Sequence, residues 1–269
     1  MSRTAAVRVI MILVIAASRV AVAANKYQLQ QDAQAVAIAR AAFTAMGGAQ
    51  AVAGYQDSEA TGTATISTGG GPVSYPITLK SKGLRETRIE IQMAKGTNVR
   101  IMNQGQAVIQ RPDGTVKSLY SNNTFSEHVE YVPLLSVLAE IANGNVNLIY
   151  RGTGRIQGQA EDIIELDFVP NLDPIQGPLL ASMSRTLYFV NRATQLVDKI
   201  QSTPFNEGDK ENTFTEEVFL TNYQSVNGLL VPFQETVFID GKLDTNITLT
   251  TFNLNVGLSD SEFSLPQAR

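Results

Sequence analysis

Two periodicities divide the chain. From Asp32, the apolar residues Val36, Ala39, Phe43 and Met46 recur at three- and four-residue spacing, which is one face of a helix. Ala35, Ile38, Ala42 and Ala45 widen that face until the helix is apolar almost all round, so it must pack on something, most simply a sheet. Asp32 is a suitable N-cap, and Gly47-Gly48 predicts the end. From about Gln56 the period changes to two. Ala60, Gly62, Ala64 and Ile66 alternate with polar residues, as do Thr87, Ile89, Ile91 and Met93. Ile164, Leu166 and Phe168, then Phe214, Val218 and Leu220, and finally Leu243 to Leu249 follow the same rule. Such alternation describes antiparallel strands with one face buried.

Turns separate these runs. Gly69 to Pro72, Asn191 to Thr194 and Asn227-Gly228 predict tight connections, and Asp113-Gly114 and Asp240-Gly241 predict type I′ hairpins. Counting runs between turns gives roughly ten or eleven short strands joined as a meander, not as βαβ units. One helical segment interrupts it. Pro133 suits a first helical turn, Leu134, Leu135, Leu138, Ile141 and Ala142 share a face, and Asn143-Gly144 close it. The expected class is therefore mainly β (α+β), an antiparallel sheet with one leading helix and one inserted helix. No linker or low-complexity tract divides it, so residues 24–269 are expected to form a single domain.

The first residues read differently. Arg3 and Arg8 flank the start of the apolar run Val9 to Ala17, and Ala21-Val-Ala23 offers small residues to a signal peptidase. The run is shorter than the ~20 residues a spanning helix needs. Residues 1–23 are expected to be a cleaved secretory signal, with a cut after Ala24 and an uncleaved anchor as the alternatives. Cysteine is absent, which excludes disulfides, thiolate ligands, a cysteine nucleophile and acylation of a cysteine. This combination points to a free periplasmic protein of a bacterium. Without Arg3, Arg8 and Arg19 the chain carries three fewer than its 21 basic residues against 25 acidic ones, a net charge near −7. No Lys/Arg run counters it, so nucleic acid is not an expected partner.

Few residues could carry chemistry. His128 is the one histidine, too few for a metal site, and no Gly-x-Ser-x-Gly elbow accompanies it. No metal and no cofactor is expected. Glu216-Glu217 point to opposite faces of a strand and cannot share a substrate. Glu165 and Asp167 share a face but alternate with Ile164, Leu166 and Phe168, the pattern of a solvated strand face. Gly152 to Gly158 has its third glycine misplaced for a dinucleotide loop and reads as strand. What remains is apolar surface on the two helices. It either completes the core, or one helix lies over a curved sheet and uncovers room for a lipid chain.

Several segments carry a family resemblance. They are the Ala-rich helix ending in Met46-Gly-Gly48, Gly83 to Ile91, Asn98 to Gly105, the Asn222 to Pro232 hairpin, and Asn255-Val-Gly-Leu-Ser-Asp-Ser-Glu-Phe263. Together they resemble the LolA/LolB-like superfamily of periplasmic lipoprotein carriers and outer-membrane lipoprotein-sorting proteins. The resemblance implies an incomplete, curved antiparallel β-barrel plugged by helices, holding acyl chains without performing catalysis. Leu134, Leu135, Leu138, Ile141, Val36, Phe43, Ile89 and Ile91 become the expected cavity and lid residues. Arg85 and Arg88 lie where carriers place a lid-holding arginine, and the sequence leaves open which corresponds. The implied partner is a lipoprotein acyl chain or other lipid, with envelope membrane proteins as further partners. Two alternatives stand beside this carrier or sensor: an interaction module on the same fold with a filled core, and an enzyme relying on His128 or Glu165.

Overall fold

The computed structural model describes residues 26–83, 85–119, 124, 145–169, 172–206, 209 and 211–266. The signal segment, His128 and the helix expected at 133–142, with Leu134, Leu135, Leu138 and Ile141, lie outside them.

Helices α1 (Ala33–Ala45) and α2 (Gly48–Ala53) lead into strands β1 (Asp57–Thr68), β2 (Gly71–Lys82), β3 (Glu86–Met93), β4 (Gly96–Asn103), β5 (Gln106–Gln110) and β6 (Val116–Ser118). The second run comprises β7 (Val146–Ile156), β8 (Gln159–Phe168), helix α3 (Gln176–Met183), β9 (Thr186–Asn191), β10 (Val197–Ser202), β11 (Glu216–Val226), β12 (Leu229–Ile239) and β13 (Lys242–Leu254). A 3-10 turn, Asp260–Phe263, follows. The strands form one antiparallel sheet of thirteen, in the order β6-β5-β4-β3-β2-β1-β13-β12-β11-β10-β9-β8-β7. Two meanders are thus joined through the long β1–β13 pairing. Among the described residues the sheet stays open, because β6 and β7 end it without pairing to each other.

The strand count exceeds the expected ten or eleven, and the turns show why. Asp240-Gly241 and Asn227-Gly228 have φ > 0 at both residues, as expected for type I′. So do Gln104-Gly105 and Gln157-Gly158, where glutamine gives no such signal in the sequence. At Asp113-Gly114 only Gly114 has positive φ, so that turn is not type I′. Helix α3 was also not expected. It spans about two turns, and Asp173 supports its start by accepting the N–H groups of Ile175 and Gln176, each at 2.9 Å.

Helix α1 forms where its periodicity places it, but its contacts divide differently. The stripe Ala35, Ala39, Ala42 and Met46 is fully buried, while Val36, Ile38 and Phe43 flank it half-buried. Alanine at the contact lets the helix backbone come close to the sheet. Asp32 sits at the N-cap position, yet its carboxylate accepts the Tyr150 N–H at 3.0 Å instead of capping the helix. Residues before α1 run along part of the β7 edge: the Leu148 N–H donates to Gln30 O at 2.7 Å and the Asp32 N–H to Leu148 O at 2.8 Å. At the other end, the Leu230 N–H donates to Met46 O at 3.0 Å. Gly47 packs so tightly there that a Cβ would meet Gly228 O at 2.7 Å. Two of the segments that carry the family resemblance, Met46-Gly-Gly48 and the Asn227-Gly228 hairpin, are therefore in contact.

Candidate functional site

Strand register assigns each residue to a face of the sheet. Ala60, Leu79, Ile89, Arg100 and Ile109 are successive partners across β1 to β5, and Gly62, Ile77 and Ile91 form the next row. These rows share the core with α1, so they belong to the concave face. On the opposite wall, Leu148, Leu166, Thr186, Ser202, Glu216 and Ile239 form one row. Tyr150, Ile164, Tyr188, Ile200 and Val218 form its neighbour. The floor comes from β1, β12 and β13, with Ala64, Ile247, Leu249, Phe233 and Val237.

Burial is uneven along this face. Around α1 it is complete, with Leu148, Ile164, Leu166 and Tyr188 at 2 % exposure or less. Away from that contact Ile89, Ile91, Phe168, Ile200 and Ile239 are half-buried apolar side chains packed against the core. Val36 and Phe43 adjoin it from α1 in the same state. The described sequence-predicted apolar residues therefore share the concave side.

The two candidate arginines part company. Arg88 pairs in register with Lys80 and Ile101 on the convex face. It binds the Glu90 carboxylate and donates to Glu262 O at 3.0 Å, so it serves the C-terminal turn and not the concave side. Arg85 immediately precedes β3, with its guanidinium 5.8 Å from the centre of the Phe168 ring on the far wall. Strand alternation missed polar residues on the concave face. Arg100 lies between Ile89 and Ile109, and Glu216 lies between Ser202 and Ile239. Burial raises the Glu216 carboxyl above its usual range, while Arg100 and a Ser202 hydrogen bond pull it down. Glu217 faces the other way and binds Lys199 at 3.0 Å, as the alternation of a strand requires. In the floor, Glu235 is 1 % exposed, in register with Leu220 and Ile247.

Glu165 and Asp167 share a face as expected, but that face is not solvated. They are 4 % and 3 % exposed. Arg151 grips Glu165 with two bonds of 2.8 and 2.7 Å, Arg185 adds a contact at 3.3 Å, and Asn147 donates to Asp167 at 3.1 Å. Among the described residues no group of three or more His, Cys, Asp or Glu is placed to hold a metal, and no helix is long and apolar enough to cross a membrane.

A second carboxylate cluster surrounds Asn191. Asn191 donates to Glu161 at 3.3 Å and to Asp198 at 2.9 Å, and Glu161 is 0 % exposed with Oε2 lacking a hydrogen bond. Burial, then Asp198 and Asp162, push the Glu161 carboxyl up to about 7. Burial raises Asp198 as well, against the Asn191 bond. A carboxyl raised on folding keeps its proton when the unfolded chain has released it. Its contribution is full below the unfolded value of 4.5 and is lost as pH rises through about 7. Acidifying from pH 8 to pH 5 should therefore raise the melting temperature, and Glu161→Gln should flatten that slope while stabilising the protein at pH 8. Parallel slopes for the two proteins in thermal melts across this range would overturn the assignment.

No protein-family model matches the sequence, and neither does any curated protein. Solved structures do match. A DUF1329 family protein from Desulfovibrio piger superposes with a TM-score of 0.56 at 15% identity, covering 85% of this chain and 96% of its own. A protein described as an outer membrane lipoprotein-sorting protein domain, from Vibrio parahaemolyticus, gives 0.54 at 12% identity over 85% and 95%. A LolA superfamily protein from Nitrosomonas europaea gives 0.54 at 12% over 86% and 97%. The fold is LolA-like.

Proposed function

We propose that this protein is a non-enzymatic carrier or sensor that binds the acyl chain of a lipoprotein, or a related lipid, on its concave face. The observation that carries the reading is the half-buried apolar stretch Ile89, Ile91, Phe168, Ile200 and Ile239, set between two walls of an unclosed sheet. Each methylene withdrawn from water there contributes ~0.8 kcal/mol, so a modest groove binds an acyl chain without a polar motif. The LolA-like fold supports the same reading, since one structural neighbour is described as a lipoprotein-sorting domain. The basic start, apolar run and small-residue site of residues 1–23 support export, and the absence of cysteine supports a protein released into the periplasm. Glu165, held by Arg151 and Arg185, is accounted for as a structural ion pair and not as a catalytic base.

The complete burial beneath α1 favours a second reading, an envelope interaction module with a filled core. One experiment separates the two. Native mass spectrometry of gently purified protein should show bound lipid, and a fluorescent fatty acid should bind the delipidated protein. Ile91→Glu, which places a charge among the apolar side chains, should weaken that binding at least tenfold with little loss of fold. Absence of both bound lipid and probe binding would leave the interaction module as the better account.

A further inference from the structure

We propose that the exposed face of helix α3 is a membrane-contact surface, which seats the protein on a phospholipid bilayer beside one end of the concave groove. The proposal goes beyond the acyl-binding reading and stands without it.

Helix α3 is built inside out. A surface helix ordinarily turns its large apolar side chains to the core. In α3 the buried residues are Gly177 and Ala181, one turn apart. The large side chains face water instead: Ile175, at the N-cap position, is 83 % exposed, and Leu179 is 59 % exposed. Among the described residues these are the two most exposed large apolar side chains. Four residues apart, they stand on one side of the helix. Pro174 and Pro178 are exposed beside them, and residues 174–184 include no charged side chain.

The packing behind α3 holds this arrangement. A Cβ on Gly177 would lie 2.8 Å from Tyr27 Cγ, so the tyrosine sits directly against the helix. Tyr27 is itself fixed: its N–H donates to Leu172 O at 2.7 Å and its hydroxyl accepts from Asn147 Nδ2 at 2.9 Å. Just past the helix, Ser184 Oγ accepts the Phe168 N–H at 2.8 Å. Rolling α3 to bury Ile175 and Leu179 would press bulkier residues onto Tyr27 and break the Ser184 bond. Phe168 belongs to the half-buried apolar stretch of the groove, so the exposed face adjoins that stretch.

Area and charge select the occupant. The helix has eight residues and is about 12 Å long. One face of it offers roughly a few hundred Å², well short of the ~800 Å² per partner that a specific protein interface takes. A bilayer asks for no such area and no matching shape, because single apolar side chains enter between its headgroups while the helix lies in the interface. The rim suits those headgroups. Lys26 is exposed beside Tyr27, and Arg185 follows the helix half exposed, while its carboxylate partners Glu165 and Asp167 are buried. Asp173 turns its carboxylate onto the N–H groups of Ile175 and Gln176. A chain with 25 acidic and 21 basic residues thus shows cations around its most exposed apolar face, where phosphates would meet them.

The chain has no tryptophan, so Leu179→Trp reports its surroundings without background. With vesicles of phosphatidylcholine and phosphatidylglycerol its emission should shift to the blue and be quenched by lipids brominated on their acyl chains. Leu243→Trp, at an exposed position in register with Phe238 on β13, should show neither effect. Wild-type protein should co-float with the vesicles, and the double substitution Ile175→Asp with Leu179→Asp should cut the partition at least about tenfold. An unchanged melting temperature and circular dichroism spectrum show that the double variant is folded. Emission of Leu179→Trp unmoved by vesicles, or wild-type partition in the double variant, overturns the membrane face whatever the fatty-acid probe does. A wild-type dimer in sedimentation that the double variant loses, without flotation, gives the face to a second copy and overturns it too. Flotation without fatty-acid binding supports the face and overturns the acyl-binding reading alone.

Discussion

Gly62→Ala should lower the stability of the protein by about 3 kcal/mol or more, which is a fall in melting temperature of ~6–12 °C for a chain of this length. The cause is local and steric. Gly62 lies in the middle of β1, where the pairing to β13 slips between Thr61 and Gly62 so that Thr61 opposes Thr251 and Gly62 opposes Leu249. This bulge brings the two backbones together. A Cβ on Gly62 would sit 2.2 Å from Thr248 O and 2.8 Å from Leu249 Cα. Those are backbone atoms, so no rotamer change relieves the overlap, and β1 and β13 must separate where the two meanders are joined. Gly69→Ala supplies the control, because a Cβ there meets nothing within 4 Å. Thermal melts of both variants check the prediction, and equal melting temperatures would show that the β1–β13 seam yields more easily than the bulge geometry implies.

How much of this could be read beforehand depends on the kind of contact involved. Helix α1 was legible because its apolar spacing is local, although the spacing did not say that the alanines would touch the sheet and Val36 and Phe43 flank them. Ile89 and Ile91 were legible as one face of β3, because the other face is polar. Arg100 was not. Strand β4 is covered on both faces: Val99 and Ile101 pack with Val108, Val116 and Leu265 on the convex side, and Met102 is buried on the concave side. An arginine within such a run gives no hint of which face it occupies until its partners are known. Glu165 and Asp167 failed for the opposite reason. Alternation with Ile164, Leu166 and Phe168 separates two faces correctly but cannot show that Arg151 and Arg185 cover the polar one.

The family-like segments gain physical content from the structure. Met46-Gly-Gly48 and Asn227-Gly228 resemble family features as separate strings, yet they are the two halves of one contact, in which α1 is bonded to the start of β12. The stretch Asn255 to Phe263 is likewise half of a clamp. Asn255 accepts the Gln56 N–H at 2.8 Å and donates to Gly54 O at 2.9 Å. Lys80 and Arg88 then hold Glu262, Lys82 donates to Leu258 O at 2.8 Å, and Phe263 is fully buried.

Asp57 is the other half of that clamp, and Asp57→Ala should be the second severe substitution. Its carboxylate is 3 % exposed and accepts the successive N–H groups of Val256, Gly257 and Leu258 at 2.7 to 3.2 Å. Three backbone donors converging on one carboxylate form a nest, and charge makes each bond stronger than its neutral counterpart. Alanine removes the acceptor and leaves the donors partly buried without one, at ~1–3 kcal/mol each where water cannot replace it. Because 199 residues separate Asp57 from Val256, the loss also releases the C-terminal segment as a unit. Leu265 would then no longer cover Val99, Ile101 and Val108, although the β1–β13 ladder could persist. Hydrogen exchange should therefore show lost protection at 256–258 and along β4, with β12 and β13 much less affected. Asp57→Asn, which keeps one oxygen acceptor, should fall between wild type and alanine. Uniform loss of protection over the whole sheet would instead make the clamp part of the global folding unit. Unchanged exchange at 256–258 would mean that the three bonds do not hold the tail.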